Sequence, residues 1–209
     1  MSFQSKFIAA ASAAALTLIA GTVSAATIFE DNFNRSNSNT VGNGWNELEW
    51  NSNDVAINNN SLMLRDYLGG EPDAAASSLV IDASGYENIS VEFKWRSLSP
   101  NENNDDLYLS WALDPAPAIT DENAWTQVFQ GNDGGTNWFT ANVALAGAEN
   151  GMFNLMLWTD VGSYNEGYLI DYVTVTGDAI SAVPLPAGMP LLLGGIAAFA
   201  LARRKRAQA

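Results

Sequence analysis

Ile89-Ser90-Val91-Glu92-Phe93-Lys94-Trp95-Arg96 decides the fold class. Large apolar side chains take every second position and polar ones fill the gaps. That is the period of a half-buried strand, because successive side chains of an extended chain point to opposite faces. A helix would scatter the same four apolar residues around its circumference. Working outward, Leu107, Leu109 and Trp111 repeat the alternation after the polar loop 99–106. Segments 54–58 and 61–65 read as a hairpin around Asn59-Asn60, and 27–33, 77–81, 126–130, 138–145, 153–159 and 168–176 are further strands. Asn, Gly, Asp and Ser clusters separate them, and no segment within 26–182 has a convincing 3.6-residue period of helical length. The pattern predicts an all-β fold, an antiparallel β-sandwich (jelly roll).

Composition narrows the chemistry. The 209 residues include no Cys and no His, and 9 Lys plus Arg stand against 23 Asp plus Glu, a formal charge of −14. These counts exclude a disulfide framework, a thiolate nucleophile, a Ser-His-Asp triad and an ordinary zinc site. They also argue against nucleic acid as a partner, since phosphate binding relies on Lys and Arg. All 23 acidic residues lie within 26–182, against only Arg35, Arg65, Lys94 and Arg96, so that span carries 4 − 23 = −19. It also holds all seven Trp and is rich in Asn, which suits turns and open hydrogen-bonding surfaces.

Both ends read as addresses. Lys6, the apolar run 7–20 and Val23-Ser24-Ala25 form a signal peptide over 1–25, with a signal helix and cleavage between Ala25 and Ala26. At the other end stand Val183-Pro184-Leu185-Pro186-Ala187, the apolar run 188–202, and Arg203-Arg204-Lys205-Arg206. The run is a short transmembrane helix, since about 20 residues cross the hydrocarbon core. The basic cluster holds the C-terminus in the cytoplasm. Between the addresses lie a sandwich domain at 26–177 and a linker at 178–182.

The tail 183–209 closely resembles the VPLPA variant of the PEP-CTERM sorting signal of Gram-negative bacteria. The resemblance implies export by signal peptidase, transient anchoring in the inner membrane and processing by an exosortase. The product would then stay at the cell envelope or pass into a polysaccharide-containing extracellular matrix. The domain resembles the jelly-roll modules of concanavalin-like, MAM-like and carbohydrate-binding families. The likeness rests on Phe29-Glu30-Asp31-Asn32-Phe33, Gly44-Trp45, Trp125-Thr126-Gln127-Val128 and the closing segment 167–175. It implies a role in binding or structuring extracellular polysaccharide. A protein-facing adhesin and a passive surface component are the alternatives.

Candidate sites follow from breaks in the pattern. Phe29, Asp31 and Phe33 share one strand face, and alternation puts Leu169, Asp171, Val173 and Val175 on another, so each apolar face carries a carboxylate. A buried charge is expensive unless it is paired or binds metal. In the resembled families the first and last strands often share a structural calcium, which implies Glu30 or Asp31 with Asp171 as oxygen ligands. The other reading leaves both carboxylates at strand ends, meeting backbone N–H groups or water.

Trp50, Trp138 and Tyr164 fall in loop-like or polar-face sequence and are the candidate glycan contacts. Trp45, Trp95, Trp111 and Trp125 read as packing. Glu47 and Glu49 are the only hint of a glycosidase pair, but two Glu at this spacing are expected by chance in so acidic a chain, so no catalytic residue is assigned. The segment 101–106 reads as a solvated acidic loop, and 132–135 as a turn.

Overall fold

The computed structural model describes residues 25–49, 53–65, 74–100, 104–132, 135–149, 151–163 and 166–180, with isolated positions 196, 203 and 204. The sorting motif, the signal segment before Ala25 and nearly all of the apolar run 188–202 lie outside them. No helix among the described residues is long and apolar enough to cross a membrane.

Among the described residues twelve strands form two six-stranded antiparallel sheets. The strands are β1 (Ala25–Asp31), β2 (Asn46–Leu48), β3 (Val55–Asn58), β4 (Ser61–Arg65), β5 (Ala74–Ser77), β6 (Ile81–Asp82), β7 (Tyr86–Ser97), β8 (Asp106–Leu113), β9 (Thr126–Gly131), β10 (Phe139–Ala144), β11 (Met152–Asp160) and β12 (Gly167–Ala179). The first sheet runs β10-β7-β12-β4-β3, with β1 also on β12. The second runs β2-β5-β11-β8-β9, with β6 also on β11. One 3-10 turn, Glu122–Ala124, lies between β8 and β9.

The deciding stretch forms the middle of β7, and its four apolar residues are all buried between the sheets. Each large side chain so buried contributes about 1.5–3 kcal/mol. Trp95 joins the layers: its ring meets Phe129 of the second sheet and Phe139 and Tyr168 of the first, at centroid distances of 5.7, 5.5 and 5.7 Å. Asn59 and Asn60 both take positive φ (49° and 61°), as the tight β3–β4 hairpin requires. The buried hydrophobic residues run from Phe33 to Val175, with Ile28 and Phe29 of β1 packed against them.

Three expectations need correction. Segment 77–81 is not one strand: β5 ends at Ser77, and Leu79 and Val80 are exposed. Asp105 is not in a solvated loop. It is fully buried, its Oδ1 accepting from Gly162 N at 2.9 Å and its carbonyl accepting from the Tyr168 hydroxyl at 2.6 Å.

Third, Asp171 is not on the apolar face. Trp95 and Lys94 are adjacent on β7, but their partners Ile170 and Tyr172 are two apart on β12, leaving Asp171 as the extra residue of a bulge. The bulge resets the alternation. Tyr168 and Ile170 before it and Val173 and Val175 after it all face the core, while Asp171 pairs with Lys94 Nζ at 2.7 Å.

Asp31 is buried, and its neutraliser is Arg35. Oδ1 accepts from Phe33 N (2.8 Å) and Arg35 Nη1 (2.8 Å), and Oδ2 from Arg35 Nη2 (3.1 Å) and Trp45 Nε1 (2.9 Å). Burial pushes the carboxyl up, but the hydrogen bonds from Arg35, Phe33 and Trp45 outweigh it and hold it below the ordinary range. Unfolded, the group titrates near 3.9, roughly, so below about pH 4 the unfolded chain takes up the proton first and stability is lost. Asp31→Ala should cost about 3 kcal/mol and flatten the acid limb, read by urea unfolding from neutral pH to about pH 3.

Candidate functional site

The outer face of the second sheet carries a cleft of about 340 Å³. Its floor is three polar side chains from three strands: Asn46 on β2, Ser77 opposite it on β5, and Asn154 on β11. Leu79 and Val80 make one wall. The segment Asp114-Pro115-Ala116-Pro117, with Ile119 and Trp125, makes the other. Trp125 is held in place by its Nε1, which donates to the Ala118 carbonyl at 3.2 Å.

Asn154 is the unusual member. It is only 6% exposed, and its side-chain amide has no hydrogen-bond partner among the described residues. The side chain is mostly covered, but its polar atoms are not among the sealed ones, so they reach solvent through the cleft. Here both ends of the amide open toward the cleft, supplying donors and an acceptor to whatever enters it.

The same face continues as an aromatic floor. Tyr108 and Trp158 stack at 4.0 Å with 13° between their planes, over Ala75, Ala112 and Met156. Trp158 Nε1 donates to Ser110 Oγ at 3.1 Å, and Asp106 Oδ2 accepts from Gln130 Nε2 (2.9 Å) and the Tyr108 hydroxyl (3.3 Å). Asp106 lies directly opposite Asp160 across β8 and β11. Burial first, then the charges of Asp106 and Asp105, raise the Asp160 carboxyl.

The sequence-predicted residues fall elsewhere. Trp138 lies on the outer face of the first sheet and is 39% exposed, with Lys94 Nζ 4.9 Å and Arg96 Cζ 5.0 Å from its ring centroid. Trp50 and Tyr164 lie outside the described residues. Glu30, Asp31 and Asp171 do not converge: Glu30 is exposed, Asp31 points inward and Asp171 outward. Among the described residues no three acidic side chains are placed to hold a metal. Glu47 Oε1 accepts from Val41 N (2.6 Å) and Glu49 Oε2 from Val55 N (3.3 Å), so both brace backbone, and neither lines the cleft.

No protein family matches the sequence, and no curated protein matches it either. Among solved structures, the sandwich is similar to the cleaved adhesin domain of Lys-gingipain from Porphyromonas gingivalis, at TM-score 0.51 and 12% identity over 73% of this chain and 99% of that one. The likeness is one of fold. Weaker likenesses are to a family 29 carbohydrate-binding module from Piromyces equi (TM-score 0.43, 11% identity, 78% of this chain and 96% of that one). A variant of a family 29 module gives TM-score 0.46 and 14% identity, over 78% and 99%.

Sequence reading missed Asn46, Ser77, Asp114 and Asn154. A signal for Asn154 exists: it is the one amide in the apolar run Met152-Phe153-Asn154-Leu155-Met156-Leu157-Trp158. Asp160→Asn should stabilise the domain by about 0.2–1 kcal/mol at neutral pH, by removing a like-charge cross-strand pair. Because the native carboxyl is raised, stability falls as pH rises through the span between its unfolded and folded values. The gain should therefore fade in acid, which thermal unfolding at two pH values reads directly.

Proposed function

We propose that the protein is an exported, non-enzymatic β-sandwich that binds polysaccharide in the Asn46–Ser77–Asn154 cleft. Asn154 carries the reading. Sugar hydroxyls both donate and accept, so an amide with both ends open is matched by a glycan and satisfied by no apolar ligand. The apolar C–H face of a pyranose suits Trp125, Leu79 and Val80, and Asn46, Ser77 and Asp114 take further hydroxyls. A concave, mostly apolar site with a few placed polar groups is the usual form of a small-ligand pocket.

The address signals supply the rest of the proposal. The tail 183–209 has the order of an exosortase-processed signal, and 1–25 that of a signal peptide. The mature domain is then delivered to the envelope or the extracellular matrix. β1 begins at Ala25, so cleavage before Ala26 removes one residue from the strand and leaves the Ala26–Gly177 pair in place.

A second reading is a protein-facing adhesin. Leu79, Val80, Leu113 and Met152, at 47–56% exposure, gather at the end of the second sheet where β6 meets β11. Exposed apolar patches of this kind mark protein contacts.

The test is isothermal titration of the purified protein with neutral glucans, mannans and xylans, in EDTA. Saturable binding to one class is expected. Asn154→Ala should weaken it by roughly tenfold, about 1.4 kcal/mol. Its unfolding temperature should hold, because the amide faces the cleft and makes no hydrogen bond among the described residues. A purely structural Asn154 predicts the reverse: lower stability and unchanged binding.

A further inference from the structure

We infer that the outer face of the first sheet, around Trp138 and Arg96, is a second sugar site, selective for a carboxylate-bearing pyranose such as a uronate. It lies on the sheet opposite the cleft and stands on different residues.

The domain has four cations, and three of them are held within it. Arg35 is held by Asp31, and Lys94 by Asp171. Arg65 Nε donates to the Asn53 carbonyl at 2.9 Å. Arg96 has no carboxylate partner among the described residues. Its one described hydrogen bond, from Nη1 to the Thr136 carbonyl, is 3.5 Å long; its Nε is enclosed, so the terminal Nη groups are the donors a ligand would reach. A guanidinium has five donors in a planar fork that matches a carboxylate. In a domain carrying −19, a cation left without an anion is conspicuous.

Its surroundings complete the site. β10 pairs with β7 so that Phe139 meets Trp95, which sets Trp138 beside Arg96 on the outer face. The Trp138 ring lies within 4.9–5.0 Å of both Lys94 and Arg96 and remains 39% exposed. Such contacts hold the cations against the ring. Thr140 and Asn142 follow on β10, opposite Lys94 and Glu92. The other charges facing the patch are already engaged: Asp171 by Lys94, and Glu92 by the Tyr172 hydroxyl at 2.8 Å. A uronate places its carboxylate on the Arg96 fork, its C–H face on Trp138, and its hydroxyls toward Thr140 and Asn142. Neutral sugars lack the first contact.

The experiment titrates the purified protein, in EDTA, with tetragalacturonate and tetramannuronate, and with the same oligomers after reduction of their carboxyls to alcohols. At least one acidic oligomer should bind saturably, and its reduced form at least tenfold more weakly. Arg96→Gln should cost as much, Arg96→Lys less, and Trp138→Ala should abolish binding, with unfolding temperatures confirming that each variant folds. Asn154→Ala should leave this binding unchanged, which separates it from the cleft. No binding by either acidic oligomer, equal binding of acidic and reduced forms, or wild-type affinity in Arg96→Gln overturns the inference. So does a glutamate-rich peptide that binds as tightly as the uronates, which would make the surface protein-facing.

Discussion

One extra residue in β12 sorts the charges of this sandwich. Without the bulge at Asp171, strict alternation would bury Leu169, Asp171, Val173 and Val175 together and expel Tyr168 and Ile170. With it, the hydroxyl of fully buried Tyr168 reaches the Asp105 carbonyl, and Ile170 stays in the core beside Trp95. Leu169 turns out to join Ala56 and Met63. A carboxylate is moved from a medium in which it would cost several kcal/mol, roughly, to one where Lys94 reaches it. Asp31 has no such escape, because β1 pairs with β12 at Val173 and keeps it inward. It stays buried because Arg35, Trp45 and Phe33 fill its lone pairs.

These two solutions account for the layout around them. Satisfying Asp31 bends the chain back after Phe33, where φ is 50°, and brings Trp45 under β1 against Phe29 and Phe33. Arg35 Nε then donates to the Val41 carbonyl at 2.8 Å, and Val41 N donates to Glu47, which fixes the entry into β2. Asn46 reaches the cleft floor as the first residue of that strand. The cleft thus depends on a buried ion pair on the far side of the core.

The sequence made some of this legible and hid the rest for identifiable reasons. Alternation in Ile89–Arg96 gave β7 because no bulge interrupts its core positions there. The Asn59-Asn60 turn was readable because few residues tolerate positive φ. The same alternation failed at 169–175, since a bulge leaves no mark in composition. Arg35 was overlooked as the partner of Asp31 because a turn, not a strand or helix period, brings them together. Ala74–Ser77 escaped as a strand because three alanines favour helix. Small residues are what the place requires, with Ala75 directly opposite Trp158. Asn154 was legible in principle, as a lone amide in an apolar strand, but only the cleft beside it gives the amide a meaning.

The two outer faces differ in charge, and that difference has a consequence for an acidic protein. The cleft residues include one carboxylate, Asp114, and no cation, so neutral ligands approach it at no electrostatic cost. The Trp138 face puts Lys94 and Arg96 beside an exposed ring on a domain of net charge −19. Beyond a Debye length of about 8 Å the whole-domain repulsion of an acidic polymer is largely screened. Within it, the fork of Arg96 acts at hydrogen-bond range. On the proposed reading an acidic chain would be held by contact and not drawn in from a distance, which would favour chains already confined in a matrix. Because the faces point in opposite directions, a molecule occupied on both spans two chains. The second attachment then occurs at the high effective concentration set by the first.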